Sequence, residues 1–438
     1  MSISSELGPT LSDEGNIVLT GSTEFPDLAS RWREWHAPEI VAVVKAGTEG
    51  DVQEAVRYAN KHGMPFAARS GGHGATEALA AAKNAIQIDF RAINHVNVSA
   101  DGKAARVGGV TGICECVGVS APILGGGHGW LQGQYGLAAD QIISARLVLP
   151  NGDAVTVSQD SNPDLFWAIR GAGHNFGLVT EWEYRIYDIK NPKWSYEIFI
   201  FSGDKLEALY ELTNEMLKSQ PPEVIHWGYI INVAELDPEH PIIWYAIIYD
   251  GPVDTAREYA KPIHDIGPLM VNAGEATVPK LAALTYMSKD AAACAYGLTS
   301  LRYPIGLKTY NTAALRKVYD EIDETFRKGY STQGVQAVDE ASTAFPHRGD
   351  EILVTSYIQY KPNPAIDPVA QEYGSRLRKH LLQGSEDPQH LRAYVNYAHG
   401  TESLQEMYGW EEWRLEKLKS LKAQWDPENR MRYYAPIM

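Results

Sequence analysis

Arg69-Ser70-Gly71-Gly72-His73 follows the short apolar run Met64-Pro65-Phe66-Ala67-Ala68, which reads as a strand. Two adjacent glycines permit a left-handed turn and let a large ligand lie directly against the backbone. The turn ends on an imidazole, so His73 stands at the lip of whatever the loop holds. Taken alone, the pentapeptide is equally an ordinary Gly-Gly turn beside a surface histidine. Further loops downstream shift the balance. Gly112-Ile113-Cys114-Glu115-Cys116-Val117-Gly118 leads to Leu124-Gly125-Gly126-Gly127-His128-Gly129, then to Tyr135-Gly136-Leu137-Ala138-Ala139-Asp140. Another, Arg170-Gly171-Ala172-Gly173-His174-Asn175-Phe176-Gly177, follows Asn162-Pro163-Asp164-Leu165-Phe166-Trp167. This last loop superficially matches a dinucleotide fingerprint. Its spacing is off by one residue, and Leu178-Val179-Thr180 continues as a strand. A dinucleotide loop instead opens a helix whose N-terminus holds the pyrophosphate.

At 438 residues the chain exceeds one ordinary core, so two domains are expected. With 44% hydrophobic and 21% charged residues it is globular in composition. A net charge of −16 argues against nucleic acid and anionic membranes, which require basic surface. The opening Met1-Ser2-Ile3-Ser4-Ser5-Glu6-Leu7 lacks the basic and apolar regions of a secretory leader. No run approaches the roughly 18 apolar residues of a membrane span. Three cysteines, two of them one residue apart, do not read as a disulfide framework. A cytoplasmic location is therefore expected.

Ile40–Lys45 reads as a buried strand, followed by a helix capped by Thr48 with Asp51 three residues on. Val52, Ala55, Val56 and Ala59 form its apolar face, and Gly63 stops it. Asp101-Gly102 and Asn151-Gly152 turn two hairpins, the second between Leu147-Val148-Leu149 and Val155-Thr156-Val157. Beyond the linker Asn191-Pro192 the pattern changes. Helices are expected near 203–218, 253–265, 311–328 and 367–382. Strands are expected at 224–232, 242–249, 334–341 and 352–360, which suggests an antiparallel sheet covered by helices. The boundaries are 1–190, 191–388 and a returning tail at 389–438.

In this order the loops resemble the flavoprotein superfamily of vanillyl-alcohol oxidase and p-cresol methylhydroxylase, most closely its berberine bridge enzyme-like branch. Tyr394-Val395-Asn396-Tyr397 and Trp425-Asp426-Pro427-Glu428-Asn429 match that family's ending. The resemblance is strongest over 38–187 and 391–437. It implies an α+β fold, with a two-part FAD-binding domain of the p-cresol methylhydroxylase type and a substrate domain between the parts. FAD would be wrapped by loop N–H groups, an anion site that needs no lysine. Arg69, Ser70, Gly71, Gly72, His73 and Gly74, with Gly125, Gly126, Gly127 and Gly129, would line the pyrophosphate and ring. Asn175, Phe176, Gly177 and Val179 would lie along the cofactor, although core packing suits Phe176 and Val179 equally. Asn396 would close over the ring.

The resemblance further implies that His73 bonds the flavin 8α-methyl. Cys114, in the pattern Cys-x-x-Val-Gly, matches the cysteine that bicovalent members bond to C6; an inert buried thiol is the alternative. Val117 matches the position that gates oxygen, where valine accompanies oxidase behaviour. Tyr135, Gln359, Tyr394 and Tyr397 occupy the candidate catalytic positions. Some relatives have a glutamate base where Gln359 stands, and glutamine cannot accept a proton at neutral pH. A tyrosine would then serve, and since free tyrosine titrates near pH 10 it needs a cation or hydrogen-bond donors nearby. The implied reaction removes a hydride from a small molecule, expected to be a specialised metabolite, and reduces O2 to H2O2. A cyclisation or isomerisation without net redox, and a flavin-free binding protein, are the alternatives. His73, His128 and His174 share the glycine loops but lack compact metal-ligand spacing, so no metal is expected. One departure stands out: relatives carry a helix-containing stretch where this chain steps directly from Val110 to Thr111.

Overall fold

A computed structural model of the chain describes residues 2–108, 114–118, 120–322, 325–326 and 333–437. The step from Val110 to Thr111 lies outside the described residues. Strands β1 (Asn16–Leu19), β2 (Ile40–Lys45), β3 (Phe66–Arg69) and β4 (Ala85–Asp89) form a sheet ordered β1-β2-β4-β3. β4 runs parallel to β2 and β3, and β1 closes one edge antiparallel. Every residue of β4 is buried, as a parallel strand covered on both faces requires. The Glu49–Lys61 helix makes the crossover from β2 to β3. The Thr48 hydroxyl accepts from the Asp51 N–H, and the Asp51 carboxylate accepts the Thr48 N–H in return. Val52, Ala55, Val56 and Ala59 bury the face their spacing predicts. The crossover brings β3 out at Arg69, so the Gly71-Gly72-His73 turn leaves from its C-terminal end.

The second sheet is antiparallel throughout and ordered β5-β6-β9-β7-β8. Its strands are β5 (Val96–Val98), β6 (Ala104–Val107), β7 (Ile142–Val148), β8 (Ala154–Ser158) and β9 (Leu178–Arg185). Both expected hairpins are present. The Gly102 N–H donates to Ser99 O at 2.9 Å, and the Leu149 N–H to Asp153 O at 2.8 Å.

The third sheet contains β10 (Trp194–Phe201), β11 (Val224–Ile231), β12 (Ile242–Tyr249) and β13 (Met270–Ala276). After β14 (Thr299–Leu307), β15 (Thr325–Phe326) completes it in the order β13-β10-β12-β11-β15. β14 pairs instead with β16 (Ile352–Tyr360), Thr299 opposite Tyr360 and Arg302 opposite Tyr357. Side chains in the third sheet alternate between two cores. Phe199, Phe201, Ile243, Tyr245 and Ile247 meet the helices Leu206–Leu217 and Val253–His264. Ile198, Ile200, Trp227, Tyr229 and Trp244 face the other way.

Several elements differ from expectation. Residues 334–341 are not a strand: a helical turn occupies Gln333–Gln336, and the Asp339 carboxylate accepts the Ala341 N–H in a local turn that competes with pairing. The helix expected over 311–328 covers only Thr312–Asp320, and β15 follows it. β10, β13 and β14 were not anticipated. Among the described residues, no helix is long and apolar enough to cross a membrane.

His226 in β11 shares hydrogen bonds with the Tyr245 hydroxyl at 2.6 Å and the Tyr259 hydroxyl at 2.8 Å. Burial pushes its pKa down to about 3. It is neutral when folded and takes up a proton on unfolding once the pH drops below its ordinary value, about 6.5. Its contribution is therefore full above that pH and is lost as the pH falls toward the folded value. Urea unfolding followed from neutral pH downward is expected to show falling stability. His226→Gln is expected to reduce the proton uptake on unfolding by about one.

Candidate active site

A cavity of about 270 Å³ opens between the glycine turn after β3, residues 114–118, β14, β16 and the tail. Ser70, Gly71, Gly72, His73 and Gly74 line one side. A Cβ on Gly71 would stand 2.5 Å from the Cys116 carbonyl oxygen, so only glycine admits that loop. His73 stacks on Trp32 at 5.3 Å, and both its ring nitrogens are buried without a hydrogen-bond partner among the described residues. Such orphaned nitrogens call for an explanation. Burial first, then the charges of Arg302 and Arg69, push its pKa down to about 3. His73 is thus a neutral imidazole with an uncommitted lone pair at the cavity wall.

Arg302 projects from β14 into the same cavity. Its guanidinium carbon lies 4.3 Å from the Trp32 ring centre, 4.7 Å from that of Tyr397 and 5.8 Å from that of Tyr357. Among the described residues it has no hydrogen bond or ion pair, so its charge is balanced by ring faces alone. Tyr394, Asn396 and Tyr397 enter from the tail. The Tyr394 hydroxyl accepts from the Gly127 N–H at 3.2 Å and from Asn396 Nδ2 at 2.6 Å. Burial nevertheless pushes the Tyr394 phenol well up, so it keeps its proton. A Cβ on Gly125 would fall 2.2 Å from Asn396 Oδ1, and glycine there lets Asn396 reach the cavity.

Other anticipated residues divide. Cys114, Val117, Gly177 and Val179 line the cavity beside Ser70–Gly74. Arg69 does not: it is buried and donates to Leu28 O and, at 3.2 Å, to Asp27 O. In the second loop, Leu124 and His128 reach the cavity, whereas Gly125, Gly126, Gly127 and Gly129 do not line it. Asn175 staples the tail instead, donating to Ala435 O at 3.1 Å and accepting the Ile437 N–H at 2.9 Å. Phe176 is wholly buried in the core. Tyr135 lies away from the cavity, stacked on half-exposed Tyr187 at 3.7 Å. Gln359 also lies outside it, donating to Ser300 Oγ at 3.2 Å and Ala292 O at 3.4 Å. Tyr357 and Gln359 lie two residues apart on the same face of β16; Tyr357 reaches the cavity, and Gln359, further along the strand, reaches segment 287–296.

The cysteines require a correction. Cys116 and Cys294, 178 residues apart, form a disulfide, and Cys114 is a free thiol beside it. His128 shares a hydrogen bond with Gln132 at 2.8 Å, and His174 stacks on Tyr434 at 4.4 Å. Among the described residues, the three sulfurs are the only grouped metal-ligand atoms, and two of them are already bonded to each other.

The FAD binding domain family matches residues 40–113 and 109–158, two pieces that overlap where the chain takes its short step. The berberine and berberine-like family matches residues 393–437. The FAD-linked oxidoreductase chyH of Penicillium rubens is 38% identical, over 99% of this chain and 93% of its own length. The FAD-linked oxidoreductase anuG of Penicillium roqueforti is 35% identical, over 100% and 92%. Among solved structures, BBE-like 1 of Physcomitrella patens superposes with a TM-score of 0.87 at 20% identity, covering 100% of both chains. Xylooligosaccharide oxidase of Myceliophthora thermophila gives 0.82 at 21% identity, covering 100% and 99%. The fold and site define an FAD-dependent flavoprotein. The chain belongs to the berberine bridge enzyme-like FAD-linked oxidoreductases. The cavity fits that cofactor on its own evidence, through the partnerless His73 and the side-chain-free loop around Gly71.

Trp32, Arg302 and Tyr357 were not anticipated. Pro304 interrupts the run that became β14 and disguised it as a loop. Recognising 299–307 as an edge strand opposite 352–360 would have put Arg302 beside Tyr357.

Proposed function

We propose that this enzyme is an oxidase with FAD tethered through His73, and through Cys114 at a second point. The observation that carries the reading is a neutral, partnerless imidazole facing a cavity that also holds a free thiol and an aromatic-caged cation. Bound FAD supplies a hydride acceptor that O2 can reoxidise to give H2O2. Residues 1–190 and 389–438 would hold the cofactor, and 191–388 would present the substrate. Supporting this division, the first two sheets use residues 16–185, and the other strands use residues 194–360.

Tyr397 takes the substrate proton. Arg302 stands 4.7 Å from its ring, a preorganised positive charge where negative charge develops. Tyr394, kept protonated by burial, orients the donor group while Asn396 fixes its hydroxyl. Gln359 serves by holding Ala292 rather than by accepting a proton. Val117 leaves room for oxygen at the cavity wall. The substrate is a small specialised metabolite, in keeping with the fungal relatives.

We place the enzyme in the cytoplasm, where disulfides are transient or redox-sensing. Protein quenched directly from cells should then show Cys116 and Cys294 at least partly as thiols. The oxidase reading is tested without a known substrate. Chemically reduced protein mixed with air should reoxidise rapidly and release one H2O2 per FAD, and Val117→Leu should slow this. Reoxidation no faster than that of free flavin would leave a dehydrogenase or a non-redox enzyme.

A further inference from the structure

Cys114, Cys116 and Cys294 meet at the edge of the cavity. The Cys114 sulfur lies 3.3 Å from that of Cys116 and 3.4 Å from that of Cys294, although only the latter two are bonded. Cys114 is half-buried and lines the cavity, so it faces both the cofactor space and the disulfide. The chain around the sulfurs is held independently of which pair is bonded. The Glu115 N–H donates to Met287 O at 3.0 Å, and the Lys289 N–H donates to the Glu115 carboxylate at 3.0 Å. Trp32 Nε1 donates to Ala293 O at 2.9 Å, and the Tyr296 hydroxyl donates to Gly71 O. Segment 287–296 thus keeps Cys294 within reach of either partner.

We propose that the three residues form a thiol–disulfide exchange cluster in which Cys114 competes with Cys116 for Cys294. The Cys114 thiolate attacks the Cys294 sulfur, the Cys116–Cys294 bond breaks, and Cys116 leaves as a thiolate. Cys116 then takes up the proton that Cys114 released. One S–S bond is made and one broken, so no outside oxidant or reductant is required. Pairing of Cys114 with Cys116 would close a ring around a single residue, which leaves Cys294 as the shared partner. With Cys116–Cys294 closed, the cavity is offered a free thiol; with Cys114–Cys294 closed, it is not. The exchange itself needs no cofactor. Its consequence, one or two possible attachments for FAD, rests on the function proposed above.

Peptide mapping without reduction, after acid quench and alkylation of the full-length protein, tests the proposal. Wild type should yield the Cys116–Cys294 linked peptide, with a Cys114–Cys294 peptide growing as the pH before quenching is raised. In Cys116→Ser, purified in air as the wild type is so that O2 serves as oxidant, the Cys114–Cys294 peptide should replace it. Recovery of both Cys114 and Cys294 as alkylated thiols in that variant overturns the proposal. Should the variant fail to fold, a wild-type map in which Cys114 is recovered as an alkylated thiol at every pH, and never joined to Cys294, overturns it equally. The map reads sulfur and not colour, so its result stands apart from whether FAD is found.

Discussion

The double replacement His73→Ala/Cys114→Ala is expected to release all the flavin on acid precipitation, turning a yellow pellet white. Acid unfolds the chain and abolishes every non-covalent hold, so retained colour reports covalent bonds alone. His73 has what bond formation to an electron-poor carbon requires: it is neutral at any physiological pH, and none of the described residues occupies its nitrogens. Cys114 is a weaker candidate because the disulfide beside it can claim it. The single replacements separate the two links. Colour retained by Cys114→Ala is held by His73, and colour retained by His73→Ala is held by Cys114. A double variant whose pellet stays fully yellow would place the attachment elsewhere.

Replacing Tyr397 by phenylalanine is expected to lower the rate of substrate-driven flavin bleaching by about 10²–10⁴-fold, the usual contribution of a positioned general base. The ring remains, so its edge-to-face contact with Tyr394 at 5.1 Å and the contact with Arg302 persist, and the flavin spectrum should not move. Tyr394→Phe should act more mildly, since that phenol holds its proton and its loss mainly frees Asn396. Arg302→Met should resemble Tyr397→Phe in rate while also altering binding. Anaerobic stopped-flow bleaching separates the reductive step from reoxidation. If Tyr397→Phe bleached as fast as wild type and Tyr135→Phe did not, the base would be Tyr135, and the cavity would have to reorganise around it.

Local chemistry was legible in the sequence, and long-range assembly was not. The Thr48–Asp51 cap, the Asn151-Gly152 hairpin and β12 all depend on residues within a few positions of each other. The turn after β3 was legible for the same reason, because two glycines and a histidine leave few other uses. Arg302 was hidden because its strand contains Pro304 and its partners come from residues 32, 357 and 397. The disulfide was hidden because nothing local joins residue 116 to residue 294. Tyr135 looked catalytic from its neighbours Gln134 and Gly136, yet the chain turns it onto Tyr187. Asn175 looked like a cofactor contact, and the four hydrogen bonds of its side chain among the described residues go to the tail and the preceding turn instead.

Intact-mass spectrometry of the protein, unfolded in acid and freed of small molecules, reaches the central question directly. The expected mass is that of the polypeptide plus one FAD, less the hydrogens lost in bonding, with the flavin borne by the His73 peptide and joined through it to the Cys114 peptide. The bare polypeptide mass, from protein that is yellow or colourless before unfolding, would contradict covalent attachment. An adduct of any other mass would contradict FAD itself.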